Sequence, residues 1–181
     1  MKIEPSTVGR VTVHGLGSAE FEESLPAILG KAPRELLKPA LPYSVIVRNG
    51  CDRTISFLGV RFDMIGPAGK QYSVVHYADT LRNPEKSDFR PGTGRFVCAE
   101  PEYTSLVLRG EVAPKTRGRM NLENLRRMRE MRASIDCVAF ADGRFAGPDS
   151  QASFERLGRE REQEQRFVDE VLGLAGAAGD L

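Results

Sequence analysis

A chain of 181 residues with 40% hydrophobic content, 28% charged residues and a net charge of +1 can bury a core without metal or disulfide staples. The same figures exclude wholesale disorder and any polycation-scale attraction to nucleic acid or anionic lipid. Three cysteines, Cys51, Cys98 and Cys137, are too widely spaced for a zinc site and too few for a disulfide framework. Buried free thiols are therefore expected, with a Cys51–Cys98 bridge left open for an exported protein.

Met1 to Pro5 lacks the apolar run of a secretory signal, and no window approaches the ~20 apolar residues of a membrane span. A soluble chain is expected, cytoplasmic by default with export not excluded. Thr7 to His14 reads as a short strand ended by Gly15-Leu16-Gly17. Phe21, Leu25, Ile28 and Leu29 then fall at helical spacing, with Ser24 and Pro26 placed like an N-cap and an early helical proline. Gly30, Pro33, Pro39 and Pro42 interrupt the chain beyond this helix, leaving room for one helical turn at Arg34 to Leu37. Residues 1–42 thus form a strand and helical lead-in.

Tyr43 to Asn49 and Thr54 to Ile65 alternate as strands on either side of Gly50-Cys51-Asp52-Arg53 and read as an antiparallel unit. In the second run Ile55 and Phe57 share one parity while Leu58, Val60, Phe62 and Met64 share the other, so a bulge near Phe57-Leu58 is expected to send the two sets to different layers. After the turn Gly66-Pro67-Ala68-Gly69, further strands are expected at Gln71 to Tyr77, Arg95 to Ala99, Thr104 to Val112 and Ser134 to Phe140. Asp142-Gly143 suits a type I′ hairpin turn that would set Phe140 opposite Phe145. Gly147-Pro148 stops the sheet, and Asp149 or Ser150 is offered as N-cap of a helix from Gln151 to Leu174. That helix is apolar at its ends and polar in the middle, with Glu155–Arg159 and Glu162–Arg166 at i, i+4.

The pattern predicts one structural domain, mainly β: an antiparallel β-sandwich over 43–147, the N-terminal lead-in packed on it, and a C-terminal α-helix with a tail over 148–181. The run Ile135-Asp136-Cys137-Val138-Ala139-Phe140-Ala141-Asp142-Gly143-Arg144-Phe145-Ala146-Gly147-Pro148-Asp149 before a charged helix, together with Pro42-Tyr43-Ser44-Val45 to Asn49, resembles uncharacterised bacterial proteins with an immunoglobulin-like β-sandwich. The likeness spans Leu41 to Val171 and implies a fold, with no catalytic residues to carry over. The chain departs from antibody domains in having no Trp.

No residue set matches a catalytic motif, and no cofactor or metal is implied. His14 and His76 lack neighbours at ligand spacing, and Gly15-Leu16-Gly17-Ser18-Ala19-Glu20 puts a carboxylate where a dinucleotide loop needs a small residue. A loop-built enzyme site around His76, Asp142 or Cys137 would need folded proximity. Lys115 to Arg132 carries a net charge of +5, with Arg117, Arg119, Arg126, Arg127 and Arg129 as candidate anion- or protein-binding residues. If Asn121 caps a short helix there, Leu122, Leu125 and Met128 point away from the arginines. Nucleic acid is disfavoured because no stacking aromatics interleave the basic residues. By elimination, the expected role is a non-catalytic protein-interaction or assembly module, with self-association through the C-terminal helix as one route.

Overall fold

The computed structural model describes residues 1–30, 34–79, 89–111 and 117–178. The chain divides into two compact units, Met1–Pro148 and Asp149–Leu181. In the first, five strands make a larger sheet: β1 (Lys2–Ile3), β4 (Ile55–Ile65), β5 (Gln71–Asp79), β7 (Glu130–Phe140) and β8 (Phe145–Ala146). Its order is β1-β7-β4-β5, with β8 also on β7; β1 runs parallel to β7 and the other pairs are antiparallel. A smaller antiparallel sheet has the order β2 (Val11–Gly15), β3 (Ser44–Asn49), β6 (Gly94–Cys98). Four helices join them: α1 (Ala19–Leu29), α2 (Arg34–Leu37), α3 (Pro101–Leu108) and α4 (Arg117–Leu125). With the second unit's α5 (Ser153–Ala178), helices hold at least as many described residues as strands, so the mainly β, wholly antiparallel expectation is corrected to two sheets, one of them mixed, plus helices.

The two runs expected to pair with each other do not. β3 is central in the smaller sheet and β4 central in the larger, and Gly50 to Arg53 carries the chain between them. Asn49 fixes this crossing: its Nδ2 donates to the Arg53 and Phe89 carbonyls at 2.7 and 2.9 Å, while its Oδ1 accepts from the Cys51 N–H at 3.1 Å. Burial supplies the reason. Val45, Ile46 and Val47 are all fully buried, so both faces of β3 are covered, which alternation alone does not foresee. One cover is α1, whose Ile28 lies close to Gly94 and Ile46: a Cβ on Gly94 would fall 2.9 Å from Ile28 Cδ1 and 3.4 Å from Ile46 Cγ2. A single core then joins Val45 and Val47 to Leu58, Val60 and Phe62 of β4 and Ile135 of β7.

Local signals explain most remaining elements and their departures from expectation. The cap of α1 is Ser18, whose Oγ accepts from the Phe21 N–H at 3.2 Å; Pro26 sits inside the helix, so the cap lies well before Ser24, where it was expected. β2 begins only at Val11, because a turn from Val8 closes on it. Of Thr104 to Val112, expected as a strand, Thr104 to Leu108 lie in α3, and Val112 lies outside the described residues. Pro101 at the first helical position outweighs β-branched Thr104 and Val107, and Tyr103 and Val107 share the buried face at i, i+4.

The bulge in β4 is present but earlier than expected. Ser56 is extra between the pairs Ile55–Phe140 and Phe57–Ala139, and Asp136 is extra on β7 between Gly59–Cys137 and Val60–Ile135. Ile55 therefore joins Leu58 and Val60 in the core, while Phe57 alone takes the other face and stacks on Tyr77 at 5.2 Å. The hairpin after β7 is also re-registered. Phe145 lies opposite Ala139, not Phe140, and only Gly143 has a positive φ, of 86°. The Phe140 N–H donates to the Arg144 carbonyl at 2.9 Å, so Ala141, Asp142 and Gly143 form a three-residue loop in place of a type I′ turn.

In the second unit, the Asp149 carboxylate accepts from the Ser153 and Phe154 N–H groups at 2.6 and 2.9 Å and anchors the start of α5. Glu155 and Arg159 pair at 3.6 Å along it. Near its far end Phe167, Val168, Val171 and Leu172 are exposed, by 66% in the case of Phe167. No helix among the described residues is long and apolar enough to cross a membrane.

Candidate functional site

β5 is the outermost strand of the larger sheet, paired with β4 along one side from Gln71 to Asp79 with no break in register. Among the described residues, no strand pairs with its other side. In an antiparallel ladder every second residue turns its N–H and C=O away from the neighbour, so along this side every second residue of β5 directs these groups away from β4. The other sheet margins are short: β1 and β8 have two residues each, and β2 and β6 five. β5 has nine and lacks lysine, arginine, proline and any bulge, the features that usually blunt an edge. Tyr72, Val74 and Tyr77 are 41%, 38% and 37% exposed along it.

The groups beside this edge are held in place. His76 points to the core side, with its ring against Phe62 at 5.7 Å and its Nε2–H donating to the Ala99 carbonyl at 2.9 Å, which fixes the tautomer because a carbonyl only accepts. Burial draws the His76 pKa down, and the bond to Ala99 only partly offsets it. One residue on, Glu100 is nearly buried at the start of α3, and burial pushes its carboxyl up while a hydrogen bond with Asn121 of α4 pulls the other way. Asn121 thus holds Glu100 and does not cap α4, which begins at Arg117. Nothing in the sequence around Glu100-Pro101 marked this carboxyl as buried; only the packing of α4 on α3 shows it.

Because folding raises the Glu100 pKa, the native state keeps a proton that the unfolded chain releases, and stability falls as pH rises from about 4.5 through the folded value. Glutamine keeps the shape without the charge. Measured by urea midpoint, Glu100→Gln should gain on the parent protein between about pH 4 and pH 7; a gap that stays constant or closes would refute the buried carboxyl's role.

Arg117 and Arg119 stand on α4 and Arg126, Arg127 and Arg129 on the connection into β7, all exposed, while Gly118, Leu122 and Leu125 face inward. Lys115 lies outside the described residues. Arg117 reaches Glu102 at 3.9 Å, and among the described residues Arg126, Arg127 and Arg129 have no carboxylate within ion-pair distance. None of the five lines either of the two cavities described next. A cavity of about 390 Å³ is lined instead by Glu4, Arg61, Asp63, Glu130 and Arg132 with β5's Gln71 to Ser73, and its charges pair among themselves, Arg61 with Asp63 at 2.9 Å and Arg132 with Glu4 at 3.7 Å. A second, of about 400 Å³, holds half-buried Cys51 with Arg10 and Arg53.

The groups weighed for catalysis are kept apart. Cys137 is buried on the face of the larger sheet that carries Gly59 and Tyr77, His76 is on the opposite face, and Asp142 sits in the hairpin loop against Arg53 at 3.6 Å and Arg144 at 3.7 Å. His14 pairs with Thr12 at 2.8 Å and Glu20 at 3.7 Å. All three cysteines are free thiols. No family model, curated protein or solved structure matches the chain.

Proposed function

We propose that this protein is a non-catalytic interaction or assembly module that takes its partner by strand addition at β5, on an immunoglobulin-like sandwich elaborated with helices. The observation that carries the reading is the nine-residue, uninterrupted edge without lysine, arginine or proline. Two sheets sharing one core, with a parallel β1–β7 pair at a margin, support the immunoglobulin-like assignment. The exposed apolar residues of α5 offer the same module a second contact surface. The exposed arginines of α4 and of the connection after it give a weaker basis for function, since none of them lines either cavity described above.

Displayed libraries of extended peptides, screened against the full chain, should yield ligands that slow amide exchange within Gln71 to Asp79. Val75→Lys, which sets a charge on the half-buried outer side of the strand, should weaken them at least tenfold. Ligands whose protection maps elsewhere would defeat the strand-addition reading.

A further inference from the structure

We infer that two adjoining turns at one end of the larger sheet, carrying Lys70 on one and Arg126, Arg127 and Arg129 on the other, form a docking surface for a run of carboxylates on an acidic segment of another protein. This contact is separate from strand addition at β5 and does not rest on it. The Arg129 N–H donates to the Ile65 carbonyl at 2.8 Å, and a Cβ on Gly66 would stand 3.9 Å from Met128 Sδ, so the connection after α4 lies against the turn that leaves β4. That turn delivers Lys70. Its carbonyl accepts from the Gly66 N–H at 2.8 Å, and its Nζ stands over the Tyr72 ring at 5.2 Å.

All four cations are exposed, and among the described residues none of them has a carboxylate within ion-pair distance. Other arginines of the same unit are matched: Arg53 lies 3.6 Å from Asp142, Arg61 2.9 Å from Asp63, Arg109 3.3 Å from Glu111 and Arg132 3.7 Å from Glu4. Here like charges gather without a counter-charge, and they repel one another until an anion joins them. Glu123, one helical turn before the arginines, pairs with none of them, and Glu130, which follows them, is turned to Arg132 at 4.0 Å.

A partner held by charge needs no cavity. It needs several carboxylates within reach of these side chains, which guanidinium groups take as paired N–H···O bonds. The neighbours of the patch set the partner's class. A long polyanion such as nucleic acid would run past the patch onto Glu123 and Glu130, and the ring at the patch, Tyr72, already lies under Lys70 rather than open to a base. A short run of Asp or Glu side chains fits within those limits.

Octaglutamate titrated into the full chain at low ionic strength is the probe. It should shift the amide NMR signals of residues 66–70 and 126–129, bind more tightly than single-stranded DNA of equal charge, and weaken as salt is added. The triple variant Arg126→Gln, Arg127→Gln, Arg129→Gln should bind it about tenfold more weakly, Lys70→Gln alone about two- to threefold, and Arg117→Gln with Arg119→Gln on α4 should change it by less than about twofold. No shift at the two turns, or binding indifferent to the triple variant, overturns the inference. Indifference to Lys70→Gln overturns the joint surface, and tighter binding of DNA overturns the acidic-protein assignment. Should a variant lose its fold by circular dichroism, the shifts in the parent protein decide. Strand addition at β5 is read from amide exchange within Gln71 to Asp79, so the two readings fail separately.

Discussion

Alanine in place of Gly118 should lower the urea midpoint, although alanine is the better helix former by about 1 kcal/mol. The helices α3 and α4 meet here backbone to backbone. A Cβ on Gly118 would stand 2.7 Å from the Tyr103 nitrogen and 2.9 Å from its Cα. Main-chain atoms inside α3 cannot move aside as a flexible side chain would, so α3 and α4 must separate, and overpacking of this kind costs about 1–3 kcal/mol. The clash outweighs the gain in helix propensity, and valine should cost about 3 kcal/mol or more because its branches meet the same wall. Gly158 of α5 makes the opposite case: a Cβ there meets nothing within 4 Å, so Gly158→Ala should stabilise the helix by about 0.5–1 kcal/mol. A raised midpoint for Gly118→Ala would show that the helices are not in contact at this glycine.

Phe62→Ala should remove about 3–5 kcal/mol, a large part of the ~5–15 kcal/mol by which such domains are held. Phe62 is fully buried at the centre of β4 and packs against the His76 ring. The cost combines lost transfer energy with the cavity left behind. The truncation has a second signature. With the ring gone, water approaches the imidazole, desolvation weakens, and the His76 pKa should rise toward its ordinary value. The chain has only two histidines, so two ring signals tracked against pH by NMR suffice to see it. An unchanged His76 titration in a destabilised Phe62→Ala would mean that the burial comes from elsewhere.

Much of the secondary structure was legible because period and punctuation agreed. β4, β5 and β7 alternate or run apolar between clear turns, and the Gly66 to Gly69 turn closes as expected, with the Gly66 N–H on the Lys70 carbonyl at 2.8 Å. The misreadings share a physical cause: alternation tells which residues share a face, not which strand lies beside them. That is why β3 and β4 read as a pair and why the edge position of β5 was invisible. In α3 the branched residues Thr104 and Val107 mimicked a strand, and a proline at the helix start was the overlooked counter-signal. The arginines are exposed on α4 and the connection after it, and sequence spacing could not reveal that neither described cavity takes them in. Glu100 and the neutral His76 tautomer depend on contacts between elements distant in the chain, and no local pattern encodes those.

The crossing at Gly50 to Arg53 bears on how this chain reaches its fold. Since β3 and β4 do not form a hairpin, the central strand β4 finds one neighbour nearby, where Ile65 pairs with Gln71, and the other far away, where Ile65 pairs with Glu130. The β4–β5 hairpin can close early because its loop is short, while the β4–β7 ladder must first bring together segments some 65 residues apart. Such non-local pairing slows the search, toward the millisecond-to-second regime of chains dominated by distant contacts. During synthesis, the hairpin leaves the ribosome with the far side of β4 open until β7 emerges. The nascent chain is then most vulnerable to mispairing through β4, and that vulnerability ends only when residues 130–140 arrive to cover it.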